Sequence, residues 1–254
     1  MSRIKGMNII ICNDDGIFSN GILRLAEHLS KKNKVLVVAP DGNRSAASHS
    51  LTIGKPIKVN KIEVSKNFDS YSISGTPADC VKVAKLMFAD FNADLVVSGI
   101  NKAHNLGTDI MYSGTVAIAL EAAFFGNVAF AFSAFNHGES DFDLYSKYAE
   151  KIIDKLLPLS KPGDVWNVNF PDVDKKIIGA KITSLGKHLY SDRYVQVGDN
   201  EFSLVGELIE HNENCRDCDV ELIKKGYVTI TPILLNKTDF DKLDSIADIN
   251  LNLD

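Results

Sequence analysis

Two adjacent carboxylates, Asp14 and Asp15, follow a short apolar run at 7–12 near the start of the chain. Neighbouring carboxylates repel each other, and the repulsion is destabilising unless a cation lies between them. A bound divalent metal ion would supply that positive charge. The alternative is a plain turn at Asp15-Gly16, with Asp14 capping the next helix. Taken alone, the two aspartates leave both interpretations open.

Oxygen-bearing side chains also follow two other apolar runs, at 34–39 and 94–98. Ser45 lies in the segment after the first run, and Asn101 lies in the segment after the second. In an open α/β sheet, ligands bind in a crevice beyond the carboxyl ends of the strands. An open α/β sheet would therefore bring Ser45 and Asn101 close to the two aspartates, which their spacing along the chain alone does not predict.

These four residues supply only oxygen atoms, which is typical of a site for a hard cation. We expect one Mg²⁺ or Mn²⁺ ion per subunit, with positions left for water and a phosphate oxygen. His49 and His104 are near enough in sequence to compete as ligands or proton carriers. Because no second histidine stands at metal-binding spacing, we expect both to be solvated loop histidines.

A candidate anion site lies at Ser113, Gly114 and Thr115, where the nearly all-apolar segment 114–125 begins. An all-round apolar pattern predicts a buried helix. The free N–H groups at a helix N-terminus accept anions, and a glycine there lets a ligand approach the backbone. We expect phosphate binding at this site, with Asn105 as a second phosphate-binding or water-positioning group. The alternatives are an ordinary N-cap at Ser113 and a turn residue at Asn105.

Several familiar nucleotide and hydrolase motifs are missing from the sequence. It contains no GxxxxGK[ST] motif, no GxGxxG after the first apolar run and no GxSxG. These absences argue against a P-loop hydrolase, an ordinary dinucleotide-binding protein and a usual α/β-hydrolase. An oxygen-ligated metal beside an anion-binding helix end instead indicates metal-assisted hydrolysis of a phosphate ester.

The predicted elements that position these residues alternate between strand and helix. Predicted strands lie at 7–12, 34–39, 57–64, 71–74, 94–98, 127–134 and 165–169, and predicted helices at 20–31, 77–88, 114–125 and 142–157. Repetition of this order predicts an α/β fold with a Rossmann-like, doubly wound and mostly parallel sheet. Thr76, Pro77 and Asp79 form an N-cap, first-turn proline and capping-box pattern, so a helix should begin there. The segment 101–112 is expected to be a polar loop.

The sequence changes character after residue 178. Short β-like runs lie at 178–183, 193–197, 202–206 and 227–233, and the stretch 239–254 predicts a short helix or a frayed tail. We therefore expect a core with the metal site over 1–177. We expect a β-hairpin-rich excursion over 178–254, which returns to the core and takes part in subunit contacts.

Composition sets limits on the class of protein. The chain has 254 residues, of which 45% are hydrophobic and 24% charged, which indicates a globular protein. A net charge of −5 without a dense basic cluster argues against a nucleic-acid partner. No run approaches the roughly 18 apolar residues of a membrane span. We therefore expect a cytoplasmic protein with no membrane partner.

The one CxxC pair in the chain is Cys215 and Cys218. It lacks the second ligand pair of a zinc site and does not follow a thioredoxin-like strand. We expect a reduced pair on a surface turn. The alternative, a redox or zinc protein that works through these cysteines, predicts bound zinc or an activity that is sensitive to alkylation.

Six pieces of the sequence carry a resemblance to a known family. They are NDDG at 13–16, PDGNRSA at 40–46, SGTPADCV at 74–81, VSGIN at 97–101, NLGTDIMYSGTV at 105–116 and GYVTITP at 226–232. In this order, they resemble the SurE family of survival proteins. The resemblance implies a metal-dependent 5′-nucleotidase that acts on nucleoside monophosphates, with 3′-monophosphates and short polyphosphate as further substrates.

The resemblance also assigns roles to residues and implies an assembly. It places the metal on Asp14, Asp15, Ser45 and Asn101, with Asp14, Asp15 and Asn101 as catalytic residues. It places the phosphate on Asn105 and on Ser113, Gly114 and Thr115. It implies a β-hairpin excursion that reaches across a homodimer or homotetramer. A different class of protein stays open, namely a nucleotide sensor that binds its ligand with metal but does not hydrolyse it.

Overall fold

The computed structural model describes residues 4–135, 141–172, 176–209, 215–247 and 249. The strands are β1 (Asn8–Cys12), β2 (Lys34–Pro40), β3 (Val59–Lys61), β4 (Asp69–Ile73), β5 (Leu95–Asn101), β6 (Val128–Ala134), β7 (Val165–Phe170), β8 (Gly179–Ile182), β9 (Leu189–Tyr190), β10 (Arg193–Gly198), β11 (Glu201–Val205), β12 (Leu208–Ile209) and β13 (Tyr227–Ile233). The α-helices are α1 (Asn20–Ser30), α2 (Pro77–Met87), α3 (Gly114–Phe124), α4 (Asp141–Leu156), α5 (Asp219–Lys224) and α6 (Phe240–Ser245). Short 3₁₀ helices lie at Ala89–Phe91, Gly107–Met111 and Leu157–Leu159. Within the described ranges, none of the helices has the length and apolar character that a membrane span requires.

Nine strands form one mixed sheet in the order β3-β4-β2-β1-β5-β6-β7-β13-β8. The strands from β4 to β7 in this order are parallel to their neighbours. In contrast, β3 and β13 pair antiparallel with β4 and β7. The chain extends first from β1 towards β4 and then, through β5, towards β7. The order therefore reverses between β1 and β5, which is where such sheets bind ligands. The predicted doubly wound α/β fold is confirmed.

The central strands β1, β2, β5 and β6 are buried on both faces. In β1, Ile9 and Ile11 pack in one apolar layer together with α1 and α4. Ile10 and Cys12 pack in the other layer, together with α2 and α3. Because both faces are buried, these strands appear in the sequence as continuous apolar runs. A one-residue slip of β1 would move each side chain to the wrong layer.

The two helices nearest the predicted site begin where the sequence indicates. Asp79 N–H donates to Thr76 Oγ1 at 3.3 Å, and Thr76 N–H donates to Asp79 Oδ2 at 2.9 Å. This reciprocal pair, followed by Pro77, is the predicted capping box. Helix α3 is buried from Gly114 to Ala123, as its apolar pattern predicts.

Three parts of the predicted secondary structure differ from the structure. The strand predicted at 57–64 is confined to β3, because this edge strand pairs only with β4. The loop predicted at 101–112 contains the 3₁₀ helix Gly107–Met111. Helix α5 was not predicted, since six residues are too few to show a helical period. The C-terminal stretch contains α6, and its residues 248 and 250–254 lie outside the described residues.

The β-rich part after residue 178 combines hairpins with strands of the main sheet. Strands β10 and β11 form an antiparallel hairpin, and β9 pairs with β12. Strands β8 and β13 instead extend the main sheet beyond β7. We refer to residues 183–209 together with 215–224 as the arm.

The prediction of a surface position for the CxxC pair is wrong for Cys218, which is buried. The sulfur atoms of Cys215 and Cys218 are in contact, with their Cα atoms 5.6 Å apart. Cys218 precedes α5 and is only 2% exposed, because it packs in a small apolar cluster with Leu106 and Val220. The local turn thus brings the two cysteines together, and packing of the arm on the core buries one of them.

Candidate metal and phosphate site

Asp14 lies directly beyond the carboxyl end of β1 and is almost completely buried, with 4% of its surface exposed. Thr115 Oγ1 donates a hydrogen bond to Asp14 Oδ1 at 2.6 Å. Burial raises the pKa of Asp14 to about 6, because the carboxylate loses its hydration. The hydrogen bond from Thr115 opposes this rise, and the charge of Asp15 adds to it.

The N-terminus of α3 packs directly against this carboxylate. A Cβ atom at Gly114 would lie 2.8 Å from Asp14 Oδ2 and 2.9 Å from Pro77 Cγ. Only glycine therefore fits where the N-terminus of α3 packs against Asp14 and Pro77. Ser113 caps the helix, since its side chain accepts a hydrogen bond from Val116 N–H at 3.1 Å. The ordinary-cap interpretation of Ser113 is confirmed, and it is compatible with anion binding by the backbone of the same turn.

Asp15 contains an unpartnered buried oxygen. Among the described residues, no group donates a hydrogen bond to Asp15 Oδ2, although this atom is buried. Burial raises the pKa of Asp15, whereas the charge and backbone N–H of Lys102 lower it. A buried carboxylate oxygen without a partner is unfavourable unless a cation or donor meets it. Together with the neighbouring buried Asp14, it fits the donor set of a divalent cation.

The loop that carries Ser45 contacts the turn after β1. Arg44 N–H donates to the backbone oxygen of Asp14 at 2.7 Å. The two turns also touch at their glycines, where a Cβ on Gly16 would lie 3.2 Å from the backbone of Gly42. Ser45 follows Arg44 and is exposed, and its own N–H donates to Asn43 Oδ1 at 2.8 Å.

Asn101, the last residue of β5, lies at the same edge of the sheet. Its Nδ2 donates to the backbone oxygen of Ala103 at 2.8 Å, so the amide oxygen is the atom available as a ligand. The next residue, Lys102, interacts with Asp15 as described above. Contacts therefore join the turns after β1, β2 and β5, as the fold inference predicts.

Asn105 belongs to a buried polar network that the sequence analysis missed. Its N–H donates to Asn169 Oδ1 at 2.8 Å, and its Nδ2 donates to Ser133 Oγ at 2.7 Å. Its carbonyl oxygen accepts from Asn167 and Asn169 at 2.8 and 3.0 Å. In the sequence, this network is indicated by Asn167 and Asn169, which stand at alternate positions of the otherwise apolar strand β7.

The expectation of a solvated loop histidine is wrong for His104, which is partly buried, whereas His49 is exposed on a loop as expected. His49 Nε2 lies 2.8 Å from Oε2 of the buried Glu121, and Lys82 Nζ lies 2.7 Å from Oε1 of the same residue. His104 Nε2 lies 2.7 Å from the backbone oxygen of Phe170. Both rings are therefore held by the fold, because the loops that carry them fold back onto helix and strand.

Three comparisons with known proteins all match this chain to one protein family. The model of the family "Survival protein SurE" matches residues 9–192. The 5′-nucleotidase SurE of Thermoanaerobacter sp. (strain X514) is 38% identical over 253 residues, which cover 98% of this chain and 100% of that relative. The 5′-nucleotidase SurE of Kosmotoga olearia is 41% identical over 233 residues, which cover 89% of this chain and 92% of that relative.

A solved structure agrees with these relatives. The crystal structure of the SurE protein from Aquifex aeolicus superimposes with a TM-score of 0.78 at 35% sequence identity, and covers 94% of this chain and 97% of its own. The candidate site residues all lie within residues 9–192, the region that the family model matches. The chain belongs to the SurE family.

Proposed function

We propose that this chain hydrolyses nucleoside 5′-monophosphates to nucleoside and phosphate with the help of one divalent metal ion per subunit. The names of the relatives, 5′-nucleotidase SurE, support the reaction. The observation that supports its location is the buried carboxylate of Asp14 beside the partly buried carboxylate of Asp15, at the switch point of the sheet. Nucleoside 3′-monophosphates and short polyphosphate are further substrate classes in the same proposal.

In this proposal, Asp14, Asp15, Ser45 and Asn101 hold Mg²⁺ or Mn²⁺. The unpartnered Oδ2 of Asp15 and the raised pKa values of both aspartates support the assignment, since a cation would stabilise the two ionised carboxylates. When bound, such an ion supplies Lewis acidity to phosphoryl oxygens and acidity to water.

The residues of α3 and of the loop before it bind and orient the phosphate. The first turn of α3, at Ser113, Gly114 and Thr115, offers backbone N–H groups to the phosphate oxygens. Thr115 also holds the Asp14 carboxylate in place through its hydroxyl. Asn105 has one Nδ2 hydrogen engaged by Ser133, and the second hydrogen serves a phosphate oxygen.

Replacement of Asp14 by asparagine tests this function. The protein is dialysed against chelator, Mn²⁺ or Mg²⁺ is restored, and phosphate release from a panel of nucleoside monophosphates is measured with malachite green. We expect Asp14→Asn to lower kcat/KM by at least ~100-fold without loss of the fold. Asp90→Asn, at an exposed position, is the matched control. Full activity in Asp14→Asn would contradict the proposal, and nucleotide binding without phosphate release by the wild type would favour the sensor class.

We also propose that the chain assembles as a homodimer or homotetramer through the arm. The β10–β11 hairpin exposes apolar side chains at Tyr194, Phe202 and Leu204, which a second copy would cover. Light scattering coupled to size-exclusion chromatography measures the assembly. Charged substitutions at Phe202 and Leu204 should yield monomers, whereas a wild type that is monomeric at every concentration would contradict the proposal.

A further inference from the structure

Three polar side chains are fully buried on one face of the sheet, near the carboxyl ends of two neighbouring strands. Ser133 is on β6, and Asn167 and Asn169 are on β7. Their sequence neighbours Phe132 and Val168 pack in the apolar layer on the opposite face. A buried polar side chain is unfavourable unless it is hydrogen-bonded. The three positions therefore need partners within the protein.

All three side chains have the same partner, Asn105. Its N–H donates to Asn169 Oδ1 at 2.8 Å, and its carbonyl oxygen accepts from Asn169 Nδ2 at 3.0 Å. The same carbonyl oxygen accepts from Asn167 Nδ2 at 2.8 Å. The side-chain Nδ2 of Asn105 donates to Ser133 Oγ at 2.7 Å. Both the backbone and the side-chain amide of Asn105 are therefore held by the core of the sheet.

This network lies next to a proposed metal ligand. In the register of the sheet, Ser133 is the partner of Asn101 on β5 and of Asn169 on β7. Neighbouring strands are ~4.8 Å apart, so Ser133 stands one strand spacing from Asn101. Asn101 Nδ2 also donates to the backbone oxygen of Ala103, two residues before Asn105. The loop is thus attached to the ends of the strands at both Ala103 and Asn105.

The bond to Ser133 determines how the amide of Asn105 is presented. A free asparagine side chain rotates about a broad, roughly two-fold terminal torsion. The bond to Ser133 engages one Nδ2 hydrogen and thereby sets the direction of the second. In the proposed function, this second hydrogen meets a phosphate oxygen. The amide is then already ordered when the phosphate arrives, which favours binding.

We propose that Ser133 and Asn169 are positioning residues of the phosphate site, and that both act through Asn105. Asn169 fixes the backbone of Asn105, and Ser133 fixes its side-chain amide in line with a phosphate oxygen. The inference rests on the function proposed above. It adds residues from two strands of the core to a site whose other groups lie in loops and at the start of α3.

The main test measures affinity for inorganic phosphate, which requires no turnover. The protein is titrated with phosphate in a calorimeter in the presence of excess Mg²⁺. We expect Ser133→Ala to bind phosphate about 5- to 20-fold more weakly than wild type, since a hydrogen bond to a charged group is no longer aligned. Its affinity for Mn²⁺ should be unchanged, because the metal-binding oxygens are intact. Unchanged phosphate affinity, or an equal loss of phosphate and Mn²⁺ affinity, would overturn the inference.

Ser146→Ala is the matched control for this substitution. Ser146 is also a fully buried serine, but its hydroxyl donates to the backbone oxygen of Phe142 within α4. Its removal should leave both affinities unchanged. The same loss of phosphate affinity in Ser146→Ala would show a general effect of serine removal and overturn the inference.

Kinetics separate a positioning role from a general loss of folded protein. All the proposed substrates share the phosphate group. Ser133→Ala should therefore raise KM by the same factor, about 5- to 20-fold, for a nucleoside monophosphate and for p-nitrophenyl phosphate, with kcat unchanged. A smaller fraction of folded protein would instead lower kcat and leave KM unchanged, and that result would overturn the inference.

Combination with Asn105→Ala tests whether Ser133 acts through Asn105. Once the amide of Asn105 is absent, Ser133 has no group to position. The double variant should therefore bind phosphate no more weakly than Asn105→Ala alone. Additive losses of phosphate affinity would overturn the inference.

Asn169→Ala tests the backbone contacts. It leaves a buried N–H of Asn105 without a partner, so a loss of stability accompanies it. Asn127→Ala is the matched control, because Asn127 is buried before the first residue of β6 and donates to the backbone oxygen of Ala93 at 2.8 Å. Both variants should unfold at lower urea concentration, but only Asn169→Ala should bind phosphate at least ~5-fold more weakly. Equal phosphate affinity in the two variants would overturn the role of Asn169. Ser133→Ala leaves the backbone contacts in place and decides the inference if Asn169→Ala does not fold.

Failure of the inference and failure of the proposed function give different results. Wild type that hydrolyses no ester, yet binds phosphate more tightly than Ser133→Ala does, would refute the proposed function and support the inference. Full activity in both proteins with the same phosphate affinity would support the function and overturn the inference. An absence of phosphate binding by wild type would also overturn the inference.

Discussion

Replacement of Asp14 by asparagine should stabilise the metal-free protein at neutral pH, although it removes function. Burial raises the pKa of Asp14 to about 6 from the ordinary value of 3.8. The folded state therefore binds this proton more tightly than the unfolded state does. Protonated Asp14 makes its full contribution to the free energy of unfolding below pH about 4, and this contribution is lost as pH rises through about 6. At about 1.4 kcal/mol per pH unit, the ionised carboxylate lowers the free energy of unfolding by ~3 kcal/mol at pH 7.5.

Asparagine removes this charge and keeps the shape of the side chain. Its Oδ1 can still accept the hydrogen bond from Thr115, and its neutrality ends the repulsion by Asp15. We therefore expect Asp14→Asn to raise the free energy of unfolding by about 1–3 kcal/mol at pH 7.5 in chelator. The difference should become several-fold smaller at pH 4, where wild-type Asp14 is protonated in the folded state and partly protonated in the unfolded state.

Urea unfolding in chelator at pH 4 and pH 7.5 measures this difference. Trp166, the single tryptophan, is partly buried against the core and reports the transition by fluorescence. Addition of Mn²⁺ should then stabilise wild type and leave Asp14→Asn unchanged, since ligand binding stabilises the state that binds it. Equal destabilisation of Asp14→Asn at both pH values would contradict the prediction, because a carboxylate would then be structurally required.

Three further predictions follow from other contacts. Gly114→Ala places a methyl group 2.8 Å from Asp14 Oδ2, so kcat/KM should fall at least ~10-fold. Urea unfolding should show that the free energy of unfolding falls by about 1–3 kcal/mol. Unchanged kinetics would contradict the close approach of Gly114 to Asp14. Glu121→Ala removes the buried partner of a lysine and a histidine and should lower the free energy of unfolding by about 1–3 kcal/mol in the same urea assay, whereas a neutral result would show that the cluster adds no stability. Replacing Cys215 and Cys218 by serine should keep phosphate release within about twofold of wild type. Loss of activity with the fold intact would instead support the alternative of a redox or zinc protein.

The residues that could be predicted from sequence are those whose position follows from the strand order. Asp14 and Asn101 come directly at the ends of apolar runs, and a parallel sheet brings the carboxyl ends of neighbouring strands to one edge. Gly114 could be predicted because a glycine begins an all-apolar helix. Each of these positions depends only on local pattern and fold class.

Other residues could not be predicted, since their position depends on tertiary packing. His188 reaches Asp109 only because the arm folds back onto the core, and neither residue has a local pattern that indicates the contact. Asn167 stands out as a polar residue in an apolar strand, but its partner, the backbone oxygen of Asn105, could not be predicted because the bond exists only once β7 is in place. The CxxC prediction failed for the same reason, since Cys218 is buried by packing against Leu106.

In the proposed function, oxygen atoms from three turns at one edge of the sheet hold a single divalent cation. A crystal structure of the protein grown with Mn²⁺, with an anomalous difference map, tests this coordination most directly. We predict one manganese peak per subunit within about 2.0–2.3 Å of side-chain oxygens of Asp14, Asp15, Ser45 and Asn101. A manganese peak elsewhere, or no peak at these residues at saturating Mn²⁺, would contradict it.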